Sequence, residues 1–135
     1  MKELFIPYTE ALELKELGFN EKCLAAYTNR GKFHQTSSDY WDNDSIKMIK
    51  EYTTIKLKVL APLYTQAFKW FRDTHNLDAW VEEINHGINN DKKQYIFQLP
   101  TKTSHFEKIK YFETYEQAEL ECLRELIEIV KEQKK

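Results

Sequence analysis

The sequence is poor in the residues that interrupt or cross-link a chain. Among its 135 residues it has three glycines, three prolines and two cysteines. Together with 41% hydrophobic and 14% aromatic residues, this composition excludes collagen-like repeats, disorder and long flexible linkers. A chain of this length buries roughly two-thirds of its unfolded surface when it folds. The sequence therefore predicts a single domain over residues 1–135.

The scarce residues also exclude several chemistries. Cys23 and Cys122 form no C-x-x-C pair, which excludes a metal knuckle or redox motif of that type and favours reduced thiols in a cytosolic protein. Because the glycines are isolated, neither a phosphate-binding loop nor a dinucleotide fingerprint can be built from them. The four histidines lack the spacing of metal ligands. The sequence predicts no catalytic residue, no metal site and no cofactor.

Long apolar runs and an excess of one charge are absent as well. No run approaches the roughly 18 apolar residues of a membrane span, and the N-terminus lacks the apolar core of a signal peptide. The sequence therefore predicts a cytoplasmic protein without a membrane partner. The net charge of −2, from 20 basic and 22 acidic side chains, gives no overall field that attracts nucleic acid. Any nucleic-acid binding has to come from a local patch.

Helix and strand signals alternate along the first half of the chain. Pro7 and Gly18 suit the start and the stop of a first helix. Residues 29–32, Asn-Arg-Gly-Lys, suit the turn of a β-hairpin. Residues 54–59 alternate between apolar and polar side chains, which predicts a strand with one wet face.

The stretch "LYTQAFKWFRDTHNL", residues 63–77, is dense in aromatic rings and predicts a helix that Asn76 ends. Trp70 lies roughly 120° from the centre of the apolar stripe, and the sequence leaves open whether another element covers it. The stripe spans about 100° and predicts core residues: Tyr64, Ala67, Phe68, Phe71 and His75.

The last part of the chain combines a hairpin with a long helix. Residues 78–87 satisfy helix and strand spacing alike, and a strand is favoured because "KKQYIFQL" follows a polar turn as a suitable partner. Thr114 and Gln117 have the spacing of a capping box at the start of a helix. Together the elements predict the α+β class: a small, mostly antiparallel sheet of four or five strands with about three helices, two of them packed on one face. The predicted apolar face of the last helix contains Tyr115, Ala118, Cys122, Leu123, Leu126, Ile129 and Val130.

Three segments carry a resemblance to a known group: "ALELKELGFNEKC" near the start, "APLYTQAFKWFRDTHNL" in the middle and "YEQAELECLRELIEIVK" at the end. They are similar to segments of small, uncharacterised proteins encoded by bacteriophages and mobile elements. The resemblance implies an accessory protein of a phage or mobile element. Because the segments are helix-forming and core-like, it implies no activity and carries over no catalytic residue.

The leading hypothesis from the sequence is a non-enzymatic accessory protein that binds another protein, such as a host factor, with self-association left open. The polar segment 36–45 is the favoured surface, because exposed aromatic residues in polar loops are typical binding anchors. Within it, Asp44 or Ser45 is placed to cap a following helix. The predicted partner-binding residues are Tyr40, Trp41, Asp42, Asp44 and Trp70.

Two alternatives stay open at this point. The first is a nucleic-acid-binding module with a sheet face of lysine and aromatic residues, although edge-strand lysines that prevent aggregation explain the same pattern more simply. The second is a small enzyme whose site joins His86, Glu82 and Tyr95. A solvated hairpin end explains that set more simply. The predicted nucleic-acid-binding residues are Lys56, Lys58, Lys92, Lys93 and Trp80.

Overall fold

A computed structural model describes residues 1–36, 40–52, 56–85, 93–99 and 110–135. The chain divides into two compact units, Met1–Ala67 and Phe68–Lys135. The described residues form four α-helices and five strands, and the strands lie in two antiparallel sheets of three and two. The predicted α+β class is therefore confirmed, with two small sheets where the sequence predicted one. The single domain over residues 1–135 stays a prediction.

The first unit is built on a three-stranded antiparallel sheet with the order β2-β1-β3. All four residues of the central strand are buried, because it has a neighbour on both edges and begins with two small alanines. A short 3-10 turn, Lys2–Leu4, precedes the unit's other elements. These are α1 (Tyr8–Glu16), β1 (Ala25–Thr28), β2 (Phe33–Gln35), α2 (Asn43–Tyr52) and β3 (Leu57–Leu60).

Helix α1 starts and stops where the sequence predicts. Pro7 caps its start in an extended backbone conformation, and Gly18 ends it with a φ of +102°. The backbone N–H of Phe19 donates to the carbonyl of Leu14 at 2.9 Å, the bond that accompanies a left-handed helix stop. Both of these side chains are buried, so the helix end also contributes to the core of the first unit.

The predicted hairpin is confirmed, since β1 and β2 pair antiparallel around residues 29–32. Tyr27 of β1 joins the hairpin to the N-terminal segment: its hydroxyl donates to the carbonyl of Ile6 at 2.7 Å, and its ring contacts Phe33 edge-on at 5.7 Å. Burial raises the pKa of this tyrosine. The hydroxyl therefore stays protonated and available as a donor at neutral pH.

Strand β3 shows the predicted alternation over the part that the structure describes. Leu57 and Val59 are buried and Lys58 is exposed, whereas residues 53–55 lie outside the described part. The pairing with β1 contains a bulge. Thr28 lies opposite Leu57, but its neighbour Tyr27 lies opposite Val59, so one residue of β3 has no partner. Lys58 is the extra residue, and a bulge re-aims such a side chain away from the sheet.

The second unit contains a two-stranded antiparallel sheet with a long helix packed on both strands. The strand predicted over residues 78–87 is confirmed from Trp80 to Asn85, and its predicted partner is confirmed as well. The elements are α3 (Tyr64–His75), which begins in the first unit and ends in the second, β4 (Trp80–Asn85), β5 (Lys93–Gln98) and α4 (Tyr115–Gln133).

Trp70 of helix α3 is covered by other side chains. This side chain is only 5% exposed, and its ring lies 4.9 Å from the rings of Phe71 and of His75. Asn76 ends the helix as predicted, with a φ of +56°. The following N–H, that of Leu77, then donates back to the carbonyl of Phe71 at 3.2 Å.

Helix α4 begins with the predicted cap, because the hydroxyl of Thr114 accepts from the backbone N–H of Gln117 at 3.1 Å. Its apolar face is confirmed for most of the predicted residues. The prediction is wrong for Tyr115, which is exposed in the first turn, and Ile127 is buried where Ile129 was expected. The buried residues are Ala118, Cys122, Leu123, Leu126, Ile127 and Val130.

Candidate functional site

Tyr40 is an exposed aromatic side chain, with 61% of its surface accessible. The backbone beside it is fixed on one side by Trp41, which exchanges two hydrogen bonds of 2.7 Å with Cys23. It is fixed further on by Asp42, whose Oδ1 accepts from the backbone N–H of Ser45 at 2.8 Å and from its hydroxyl at 2.9 Å. Tyr40 is thus a bulky ring in solvent, next to a braced backbone.

Asp42 caps helix α2, so the prediction that Asp44 or Ser45 does so is wrong. Helix α2 begins at residue 43, one residue after this aspartate, and the backbone N–H groups of its first turn hold the carboxylate. These hydrogen bonds lower the pKa of Asp42 below its ordinary value. The sequence missed the cap because four consecutive residues, 42–45, are all of types that cap helices.

The predicted partner-binding residues therefore differ in what they offer to a partner. Tyr40 and Asp44 are exposed, and Trp41 is half-buried. Asp42 is occupied by its capping bonds. Trp70 is a core residue and presents no surface for a partner. We refer to Tyr40, Trp41 and Asp44 as the Tyr40 surface.

The predicted lysine and aromatic face does not form on the β4–β5 hairpin. Trp80 lies opposite Gln98, whereas Lys93 lies opposite Asn85, five residues further along β4. Because side chains alternate along a strand, Lys93 and Trp80 point to opposite faces. Lys93 is also paired with Glu83 at 3.6 Å. Lys92 lies outside the described residues.

The alternative enzyme site is not assembled among the described residues either. Glu82 lies opposite Ile96 and accepts from the indole N–H of Trp80 at 2.7 Å. Tyr95 lies opposite the next residue of β4, so its ring is on the other face of the hairpin from Glu82. His86 belongs to residues 86–92, outside the described part. Within the described ranges no group of three histidine, cysteine or acidic side chains is placed to hold a metal ion.

Three other groups that could take part in chemistry are withdrawn from solvent, the two thiols fully and His75 in part. The thiols of Cys23 and Cys122 are free, and burial raises the pKa of each to about 12. They are therefore protonated at neutral pH and are poor nucleophiles. His75, predicted as a core histidine, lies against Trp70 and Phe71, and burial lowers its pKa.

Lys58 of β3 and Lys56, which directly precedes the strand, do form a basic surface, but with partners that the sequence did not single out. The backbone N–H of Asn29 donates to the carbonyl of Lys56 at 3.1 Å, which brings the β1–β2 turn to the start of β3. The cations of that turn, Arg30 and Lys32, are exposed, as are Lys56 and Lys58. We refer to Arg30, Lys32, Lys56 and Lys58 as the cation cluster.

The turn that carries half of the cluster has a defined shape. Gly31 has a φ of +80°, which favours glycine, and its N–H donates to the carbonyl of Thr28 at 3.0 Å. The hydroxyl of Thr28 accepts from the N–H groups of Arg30 at 3.2 Å and Lys32 at 3.1 Å. This turn, Lys56 and Lys58 are predictable from the sequence, whereas the cluster is not, because the register between β1 and β3 is not visible in either segment alone.

Comparison of the chain with protein-family models, with curated proteins and with solved structures gives no significant match. None of the helices in the described ranges combines the length and the apolar character that a membrane crossing requires.

Proposed function

We propose that this protein is a non-enzymatic accessory protein of a bacteriophage or mobile element that acts in the cytoplasm by binding another protein. The phage or mobile-element origin has its support in the resemblance of the three helix-forming segments. The binding function has its support in the Tyr40 surface. The observation that carries it is the 61% exposure of Tyr40 beside a braced backbone.

A ring in this position suits an interface anchor for two reasons. Tyrosine is enriched among the few residues that dominate binding energy, because it buries a large area and keeps a polar hydroxyl. The hydrogen bonds of Trp41 and Asp42 hold the backbone already in the unbound protein, so less ordering accompanies binding. Asp44 is exposed nearby and favours a partner that presents a cation beside an apolar pocket.

The test is a quantitative capture from a bacterial lysate with the full-length tagged protein. The lysate is treated with nuclease first, so that nucleic acid cannot bridge the protein to a partner. Tyr40→Ala is the informative variant, because the ring of Tyr40 is exposed, whereas the side chain of Trp41 is half-buried and its truncation also removes packing within the fold. Tyr40→Phe keeps the ring, and Tyr111→Ala removes an exposed tyrosine of the second unit as a control.

We expect a stoichiometric partner that the wild type, Tyr40→Phe and Tyr111→Ala retain. For Tyr40→Ala we expect affinity for that partner to fall by about tenfold, which corresponds to about 1.4 kcal/mol. Equal retention by Tyr40→Ala, measured on the purified partner, would remove the Tyr40 surface from the proposal. The same protein run in sedimentation experiments tests self-association, which stays a prediction.

A further inference from the structure

We propose that the cation cluster binds the phosphodiester backbone of a nucleic acid without reading its bases. This function is separate from the Tyr40 surface. Trp41 pairs with Cys23 ahead of β1, whereas the cluster surrounds Thr28 at the other end of β1. Five residues of extended chain separate the two ends by roughly 16 Å. One ligand can therefore occupy the cluster without displacing a partner from Tyr40.

The pairing of the strands places the cations side by side. The N–H of Thr28 donates to the carbonyl of Lys32 at 2.9 Å, and the N–H of Asn29 donates to the carbonyl of Lys56. Each such step across a sheet is about 5 Å, so the backbones of Lys32 and Lys56 lie roughly 10 Å apart. Lysine side chains are long and flexible. Two of them at positions so near to each other can contact neighbouring phosphates of one nucleic-acid strand.

Lys58 belongs to the row because it lies two residues beyond Lys56 and is exposed like it, between the buried Leu57 and Val59. It is also the extra residue of the bulge in β3. Its carbonyl accepts from the ammonium group of Lys15 at 3.1 Å, which adds a fifth positive charge at this edge. The side chain of Lys15 thus links helix α1 to the backbone of Lys58.

The positive field of the cluster is not cancelled by ion pairs, because no carboxylate among the described residues pairs with any of its four cations. Basic and acidic side chains of the first unit balance at nine each, so the field is local and not a property of the whole unit. Unpaired, solvated cations are what a polyanion needs, since binding releases the counterions that its phosphates hold.

The surroundings of the cluster favour a nucleic acid over a protein or a membrane. Protein interfaces are depleted in lysine at their centre, and membrane binding requires apolar side chains that enter the bilayer. None of the exposed large hydrophobic residues of the described chain belongs to the cluster or to residues adjacent to it in sequence. Those exposed residues are Met1, Leu4, Tyr40, Trp80, Tyr111 and Tyr115.

The experiment measures binding of the full-length protein to fluorescent oligothymidylate by anisotropy, in sodium chloride from roughly 50 to 200 mM. A duplex probe distinguishes single-stranded from double-stranded nucleic acid, and phosphatidylserine vesicles represent an anionic membrane. Lys32→Ala combined with Lys56→Ala is the informative variant. Lys2→Ala combined with Lys22→Ala removes the same charge from two exposed positions of the first unit outside the cluster and is the matched control. Thermal unfolding checks that both variants fold.

Four phosphate contacts give a slope of log K against log salt of about −3 on a single strand. We expect the informative variant to lower the magnitude of that slope by about 1.4 and to weaken binding roughly tenfold or more, with the control variant unchanged. A slope near zero, equal losses in both double variants, or cluster-dependent binding of vesicles without binding of either oligonucleotide would each overturn the proposal.

Discussion

The two units of the chain contain similar numbers of cations and place them differently. The first unit has nine basic and nine acidic side chains, and the second has eleven and thirteen. In the first unit the cation cluster has no described carboxylate partner, whereas most described cations of the second unit are paired. Those pairs are Lys69–Asp73, Arg72–Asp78, Lys93–Glu83, Arg124–Glu121, Lys131–Glu128 and Lys135–Glu132.

This difference shows why composition is a poor guide to binding. Exposed ion pairs contribute little to stability, but they cancel the field that each charge would project into solvent. The second unit has more basic residues than the first, but it is the less suitable surface for binding a polyanion. What distinguishes the first unit is the register of its sheet, which assembles a turn and a strand end.

The second unit contains an acidic side chain in a place that disfavours its negative charge. Glu119 lies half-buried on α4, and burial together with the neighbouring Glu116 raises its pKa to about 7. The four cations of the cluster are exposed, whereas this carboxyl is partly withdrawn from water and tends to lose its charge. We therefore expect the two units to respond differently to pH and to mutation.

The largest effect that we expect comes from Glu119→Gln. The folded pKa of about 7 exceeds the ordinary value of 4.5, so the folded state binds a proton that the unfolded state releases. This contribution is complete below about pH 4.5 and is lost as the pH rises through 7. At pH 8 the variant should exceed the wild type in unfolding free energy by roughly 2 kcal/mol, after a discount for partial exposure.

Urea unfolding at pH 4.5 and pH 8 tests this prediction. Glu125→Gln, at an exposed position of the same helix, controls for the loss of one negative charge. A stability difference between Glu119→Gln and the wild type that does not change with pH would contradict it.

The next effect concerns the turn that carries Arg30 and Lys32. Gly31→Ala should lower the free energy of unfolding by about 1 to 2 kcal/mol, because its φ is +80° and an added Cβ would lie 3.3 Å from the ring of Tyr8. Gly18→Ala, with a φ of +102° and no atom within 4 Å of the added carbon, shows the backbone cost of alanine at a positive φ without a side-chain contact. Urea unfolding measures both variants, and a Gly31→Ala variant as stable as the wild type would contradict the prediction.

The cap of α4 should give a smaller effect, confined to the second unit. Thr114→Ala leaves the N–H of Gln117 without its partner and should destabilise the protein by about 1 kcal/mol. Thr114→Ser keeps the hydroxyl and should restore most of the loss. Chemical unfolding followed by far-ultraviolet circular dichroism measures both, and equal stability of the alanine and serine variants would refute the role of the cap.

The smallest effects should come from the ion pairs of the second unit. Lys93→Ala and Lys131→Ala each remove one exposed pair, so each should change stability by less than about 0.5 kcal/mol. A double-mutant cycle with Glu83→Ala isolates the first pair. A coupling energy above about 1 kcal/mol would mean that this pair stabilises the hairpin and does more than cancel charge.

The sequence predicted those parts of the fold that depend on local signals. Gly18 and Asn76 end helices, and Thr114 begins one, because each acts on the backbone within a few residues. Exposure of Tyr40 also followed from a polar segment. Properties that depend on packing between elements were harder to predict, such as the burial of Trp70 and the separation of Trp80 from Lys93. The cation cluster depends on the register between β1 and β3, which no single segment encodes.

The most direct test of the contrast between the two units is the salt dependence of oligothymidylate binding for two triple variants. One neutralises Arg30, Lys32 and Lys56 of the cluster, and the other neutralises the paired cations Lys69, Lys93 and Lys131. We predict that the cluster variant lowers the magnitude of the salt slope by about 2, and that the paired variant leaves it unchanged. Equal reductions in the two variants would contradict the claim that local pairing, and not the number of cations, decides where this protein binds a polyanion.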